Sequence, residues 1–315
     1  TTKGENGTTL MQARSKDGGR TFDRATLVPG SDAAGNRGWE AIATDAHGAV
    51  DAVWLDHREL AQDAAHMSEM HHAPGGGKPD GVAMAQRSKL YFAALDGSVP
   101  PHAITGGVCY CCKTALVSAD GAVYAAWRHV YPGNIRDIAF TLSRDGGRTF
   151  APPIRVSEDK WVLEGCPDDG PSMVIDREHR IHVVWPTLLQ EDGKDPNLAL
   201  FYATSSDGRS FTPRTRIPTE GTPHHPQIAL DAAGRVVVAW DELAGGKRHV
   251  AFARAIDAGA AVAAGAASFS RDVISGAEPA MYPAIVRASD GVVIVWTSGT
   301  PAASMIRVTR LATSS

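Results

Sequence analysis

Five segments of the chain follow one pattern: an alternating apolar run, a turn with Asp or Gly, and a second run ending in tryptophan. They are E-A-I-A-T-D-A-H-G-A-V-D-A-V-W (40–54), K-T-A-L-V-S-A-D-G-A-V-Y-A-A-W (113–127), P-S-M-V-I-D-R-E-H-R-I-H-V-V-W (171–185), P-Q-I-A-L-D-A-A-G-R-V-V-V-A-W (226–240) and P-A-I-V-R-A-S-D-G-V-V-I-V-W (283–296). Trp54, Trp127, Trp185, Trp240 and Trp296 succeed one another at intervals of 73, 58, 55 and 56 residues. Period-two alternation rich in β-branched residues marks strands, and the turn residues join them as hairpins. Each interval leaves room for further strands, and four-stranded units repeated about an axis make a β-propeller. The expectation is all-β: a six-bladed β-propeller with five clear blades and a partial N-terminal one. At that end T-T-L-M-Q-A-R-S (8–15) and A-T-L-V (25–28) read as outer strands without an inner hairpin. Residues 1–315 read as one domain, with an insertion at about 59–83 that accounts for the 73-residue interval.

Composition narrows the function classes. Of 315 residues, 43% are hydrophobic and 21% charged, as in a globular protein with an ample core. The net charge of −4 and the lack of a basic run argue against a nucleic-acid surface. No apolar stretch approaches the length of a membrane-spanning helix. The chain opens on Thr1 with no apolar leader, which reads as a mature or trimmed form.

Three short stretches recur beside outer strands: S-K-D-G-G-R-T-F (15–22), S-R-D-G-G-R-T-F (143–150) and the shorter S-S-D-G-R-S-F (205–211). Asp and Gly suit a tight turn, and the closing aromatic can pack between strands. These stretches resemble the Asp-box of the sialidase (BNR-repeat) superfamily, and with the hairpins the resemblance covers nearly the whole chain. It implies a six-bladed propeller of the sialidase-like type. The box itself is a structural turn and carries no chemistry.

In a propeller the residues before each inner strand and after each tryptophan crowd one mouth of the central channel. Aligning the tryptophans places Gly38-Trp39, Cys111-Cys112, Asp169-Gly170, His224-His225 and Met281-Tyr282 there, with returning ends at Asp56-His57-Arg58, Arg128-His129 and Asp241-Glu242. Three of the four cysteines fall in V-C-Y-C-C-K (108–113), and the fourth is Cys166. Thiolate, imidazole and thioether form a soft donor set suited to copper, above all Cu(I), with zinc as the alternative. The candidate metal ligands are Cys111, Cys112, Cys166, His224, His225 and, from H-M-S-E-M-H-H (66–72), His66, Met67, Met70, His71 and His72, with His57 and His129 in reserve. A disulfide between Cys109 and Cys166 competes with this reading. So does a catalytic cysteine with Lys113 or His225 as its base.

The resemblance implies a rival function, glycoside hydrolysis. Sialidases use an arginine cluster, a tyrosine nucleophile paired with glutamate, and an aspartate acid/base. The matching positions here are Tyr282, Glu242, Asp56, Arg58 and Arg128. No Arg-Ile-Pro motif appears near the start, and Cys, Asp or His stand where a further arginine belongs. The leading expectation is an exported, periplasmic or secreted, propeller that binds a soft metal ion for metal handling or redox chemistry. Its partners would be the metal and a delivery or acceptor protein. Glycoside hydrolysis is the first alternative and a non-catalytic, protein-binding propeller the second.

Overall fold

The computed structural model describes residues 2–4, 7–61, 81–163, 165, 167–190, 196–256 and 267–313. All five tryptophan-ended hairpins form as expected. They are β5 (Arg37–Thr44) with β6 (Val50–Asp56), β9 (Ala115–Ala119) with β10 (Ala122–Arg128), β13 (Ser172–Ile175) with β14 (Ile181–Leu189), β17 (Thr222–Leu230) with β18 (Val236–Ala244), and β21 (Ala280–Ala288) with β22 (Gly291–Thr300). Each continues outward as an antiparallel meander in chain order. Strands β7 (Lys89–Ala94) and β8 (His102–Thr105) complete the first sheet, and β11 (Ile138–Ser143) and β12 (Ile154–Arg155) the second. β15 (Asn197–Ser205) with β16 (Thr215–Ile217), and β19 (Lys247–Ala255) with β20 (Phe269–Val273), complete the next two. The last sheet gains only β23 (Ala303–Ala312). At the N-terminus β1 (Thr2–Gly4) pairs with β2 (Gly7–Thr9), and β3 (Met11–Gln12) with β4 (Thr26–Leu27), each as a two-stranded ribbon. The helix α1 (Gly81–Arg87) leads into β7. No helix among the described residues is long and apolar enough to cross a membrane.

The chain divides into two compact units. The first comprises residues 1–136, 141–153 and 162–168; the second comprises 137–140, 154–161 and 169–315. In the first unit Trp54 is fully buried among Leu10, Val28, Ala52 and Ala93. In the second, Trp240 packs with Val184, Leu200, Tyr202, Ile228 and Val238, and Trp296 with Val237, Val250 and Ile294. Alternate residues of β18 enter the two clusters, Val236, Val238 and Trp240 one and Val237 and Ala239 the other.

The three Asp-boxes are hydrogen-bonded turns. Asp145 Oδ1 accepts from the amide of Thr149 at 2.9 Å and Oδ2 from its hydroxyl at 2.6 Å, while Ser143 Oγ accepts from the amide of Gly147 at 2.8 Å. Asp17, Thr21, Ser15 and Gly19 repeat the arrangement. Phe150 then packs edge-on against Phe92, and Phe211 against Phe140, both at 5.3 Å between centroids. The insertion residues 62–80, and with them His66, Met67, Met70, His71 and His72, lie outside the described residues, as does Cys166.

Equivalent glycines in two boxes separate backbone cost from packing cost. Gly19 and Gly147 both have left-handed φ, +86° and +84°, but a Cβ on Gly147 would meet the Phe92 ring at 2.1 Å, whereas one on Gly19 meets nothing within 4 Å. Gly147→Ala is expected to lower stability by about 1–3 kcal/mol more than Gly19→Ala. Equal losses in urea unfolding would contradict this packing.

Candidate functional site

A buried indole N–H must find an acceptor, and the residue two places after the tryptophan supplies it in three hairpins. Trp54 Nε1 donates to Asp56 Oδ2 at 3.1 Å, Trp127 Nε1 to His129 Nδ1 at 3.3 Å, and Trp240 Nε1 to Glu242 Oε2 at 3.0 Å. Three candidate site residues thereby satisfy the tryptophans of their own hairpins.

Asp56 shows how far this goes. Its fully buried carboxylate also accepts from Arg37 Nε at 3.0 Å and from Arg58 Nε at 2.9 Å and Nη2 at 2.7 Å. Burial pushes the carboxyl up, but the hydrogen bonds from Arg58 and Trp54 and the Arg37 charge outweigh it and hold the group below its ordinary value. Arg58 lies over the Tyr91 ring at 4.3 Å. Arg37, which the sequence did not single out, reaches the carbonyls of Thr8, Ala33, Ala34 and Gly35. His57 is buried beside this network, with Nδ1 at 3.4 Å from Ser88 Oγ and Nε2 without a partner among the described residues.

The cysteine stretch is a turn ahead of the inner strand, since β9 begins only at Ala115. Cys109 N donates to Arg128 O, and Cys112 N closes back on Cys109 O at 3.4 Å. That closure brings Cys112 Sγ to 2.8 Å from Cys109 Sγ, with Cys111 Sγ at 3.9 Å. Cys109 and Cys112 are free thiols and Cys111 is the one in a disulfide. This corrects the expected bridge through Cys109. The turn's own geometry explains it, because Cys109 is drawn inward against Cys112 and Arg136, whose Nη1 donates to Cys109 Sγ at 3.3 Å. Arg128 is also buried, and its Nη1 donates to Arg136 O at 2.8 Å. The three sulfurs lie within 4.8 Å of one another, but two guanidiniums beside them favour a thiolate over a cation. The Cys112 thiol, against the burial that opposes it, and then the charges of Arg136 and Arg128 bring Cys109 down to about 6.

In the second unit the histidine pair meets carboxylates. His224 Nδ1 donates to Asp169 Oδ2 at 2.7 Å, and His225 Nδ1 to Asp241 Oδ1 at 2.6 Å. Asp169 Oδ1 also accepts from the amide of His225, and Asp241 Oδ1 from the amide of Tyr282 at 3.1 Å. Arg248 pairs with Asp241 Oδ2. Burial pushes Asp169 up, yet the His224 hydrogen bond and the His225 charge hold it below the ordinary carboxyl value. The rings of His225 and Tyr282 lie 4.4 Å apart, and Tyr282 is 55% exposed. Both residues sit at β-bulges with left-handed φ, 51° and 55°, and Trp39 repeats this in the first unit at 53°. Such backbone costs about 1–3 kcal/mol per residue. Glu242, besides Trp240, accepts from the Glu220 amide at 3.1 Å and pairs with Arg271.

The chemistry available differs between the units. The first offers a thiol in a cationic pocket. The second offers two imidazoles whose Nδ1 positions are fixed by carboxylates, which leaves Nε2 as the nitrogen for a proton or a ligand. Tryptophan alignment signalled His224, His225 and Tyr282; Asp169 and Asp241 stood at the aligned positions without being read as partners. Arg37, Arg136 and Arg248 had no repeat signal.

Two outcomes test these assignments. Asp56→Ala strands buried guanidinium charge and is expected to cost about 3–5 kcal/mol in chemical denaturation. Burial first, and then the Arg37 charge against the opposing Asp56, pushes His57 down to about 4 from 6.5. The unfolded chain therefore binds the proton at higher pH than the folded one. Stability from this group is complete above pH 6.5 and is lost as pH falls toward 4, by about 3 kcal/mol. A His57→Asn variant should show a shallower slope over that window.

No family model matches the chain, and no curated protein is similar to it in sequence. Solved structures are similar in fold. A protein of unknown function from Dyadobacter fermentans matches with TM-score 0.56 at 13% identity, over 86% of this chain and 78% of its own. A Hadza microbial sialidase matches with TM-score 0.54 at 12% identity, over 96% of this chain and 59% of its own. A polysaccharide lyase of family PL25, an ulvan lyase bound to -[GlcA(1-4)Rha3S]-, matches with TM-score 0.53 at 14% identity, over 85% of this chain and 66% of its own. This chain thus spans less than two thirds of the sialidase and about two thirds of the lyase. At these identities the likeness shows the fold alone, that of the β-propellers.

Proposed function

We propose that the chain acts on an acidic polysaccharide, with His225 and Tyr282 as its proton-transfer pair. The observation that carries this is the His225 ring, fixed through Nδ1 by Asp241 and lying 4.4 Å from the exposed Tyr282 ring. A histidine so held can take a proton at Nε2, and a phenol can give one. Elimination at a uronate needs those two transfers. The base removes the proton beside the carboxylate, a carbon–carbon double bond forms, and the departing glycosyl oxygen takes the proton of the acid. The name and ligand of the ulvan lyase motivate the substrate class.

Sialidase-type hydrolysis is the second reading, favoured by the sialidase match over 96% of this chain. It calls for a partner to activate Tyr282, and Glu242 is occupied by Trp240, Glu220 and Arg271. His225 would have to serve in its place. A soft metal ion, copper before zinc, is a separate proposal, and the Nε2 atoms of His224 and His225 are its described donors. A polysaccharide substrate also fits a periplasmic or secreted protein.

Incubation with uronate-containing polysaccharides decides between the readings. Elimination gives products with the ultraviolet absorbance of a conjugated double bond, lost by about 100-fold or more in His225→Ala and Tyr282→Phe. Sugar release without that absorbance would indicate hydrolysis, and no release from uronate or sialoside substrates would end both readings. Elemental analysis after copper and zinc loading tests the metal proposal.

A further inference from the structure

We propose that Cys109, Cys111 and Cys112 form an internal thiol–disulfide relay, which trades the disulfide held by Cys111 for one between Cys109 and Cys112. The turn supplies the geometry. Cys109 Sγ sits 3.9 Å from Cys111 Sγ and 2.8 Å from Cys112 Sγ. One sulfur thus faces both the disulfide it would attack and the thiol that would resolve the product. Cys109 and Cys112 are both about 1% exposed, so an internal disulfide is far more accessible to them than a reagent in solvent.

The surroundings suit an attacking thiolate. Exchange requires the deprotonated sulfur, and donors beside it stabilise that form. Arg136 Nη1 donates to Cys109 Sγ at 3.3 Å and the Cys112 thiol donates from the other neighbouring position. Burial first, and then its neighbour Cys109, pushes Cys112 up, so Cys112 holds its proton while Cys109 loses its own.

Two steps complete the exchange without an external oxidant. Cys109 thiolate attacks Cys111 Sγ; the Cys109–Cys111 bond forms, and the bond from Cys111 to its present partner sulfur breaks, expelling that sulfur as a thiolate. The expelled thiolate takes up a proton from solvent as Cys112 gives one up to it, and Cys112 sulfur then attacks Cys109 Sγ. A Cys109–Cys112 disulfide forms and Cys111 leaves as a thiolate. One disulfide, two sulfhydryl-level sulfurs and one negative charge are present before and after. The result unlocks the cross-link at Cys111 and closes one within the turn.

The full chain, prepared without reductant at about pH 4 to stall exchange, is moved to about pH 8 and quenched in acid at intervals. Free thiols are then alkylated in denaturant and mapped by peptide mass. The expected result is a growing population bridged between Cys109 and Cys112 and alkylated at Cys111. Cys109→Ser should abolish it, and Arg136→Gln should slow it several-fold at unchanged circular dichroism. Alkylation of only Cys109 and Cys112 in the wild type at every interval would overturn the relay. That wild-type map decides the question even if a variant does not fold.

Discussion

The structure depends on placing an indole N–H in a dry interior. Each inner hairpin ends in a tryptophan whose ring fills the core, and its one polar atom has to be answered there. Where the answer is a carboxylate, as with Asp56 and Glu242, burying the acceptor creates a second demand, for positive charge. Arg37 and Arg58 meet it in the first unit and Arg271 in the second. Trp185 shows the same logic by another route. Thr187 follows it at the usual spacing, yet its N–H donates at 2.6 Å to Asp159, which is paired with Arg214. In the first unit the sequence continues outward, because Arg37 gathers the carbonyls of the preceding loop and so ties residues 8–35 to the sheet.

The two units put opposite charge at their reactive groups. Cys109 sits with two buried guanidiniums, which favour sulfur in its anionic form. His224 and His225 sit with Asp169 and Asp241, which fix the imidazoles through Nδ1. A common hairpin thus supports nucleophilic sulfur in one place and acid–base nitrogen in another. The difference arises from residues before or at the beginning of the inner strands and from the charged partners they meet.

The hairpins and boxes were legible because their signals are periodic. The apolar run V-V-V-A-W names β18, and Ser-x-Asp-x-Gly names the turn at 143–147. Charge pairing was not legible. Arg136 reaches Cys109 across 27 positions and Asp169 reaches His224 across 55, and nothing in local spacing announces either. The cysteine stretch misled for a related reason. Nothing in V-C-Y-C-C-K announces the backbone bond from Cys112 to Cys109 that stacks those two sulfurs. Glu242 and Asp56, placed at the channel mouth because they follow the tryptophans, also accept from those indoles, which the spacing did not announce.

The left-handed residues at the bulges bear on how such a scaffold changes over time. Trp39, His225 and Tyr282 have unrelated side chains on nearly the same backbone, held there by strand pairing on both sides of each bulge. The direction in which each Cα–Cβ bond points is therefore a property of the sheet and is indifferent to the side chain it carries. An indole, an imidazole or a phenol can be exchanged at such a socket without renegotiating the core. Chemistry at these positions is free to diverge while the tryptophan hairpins beneath stay as they are.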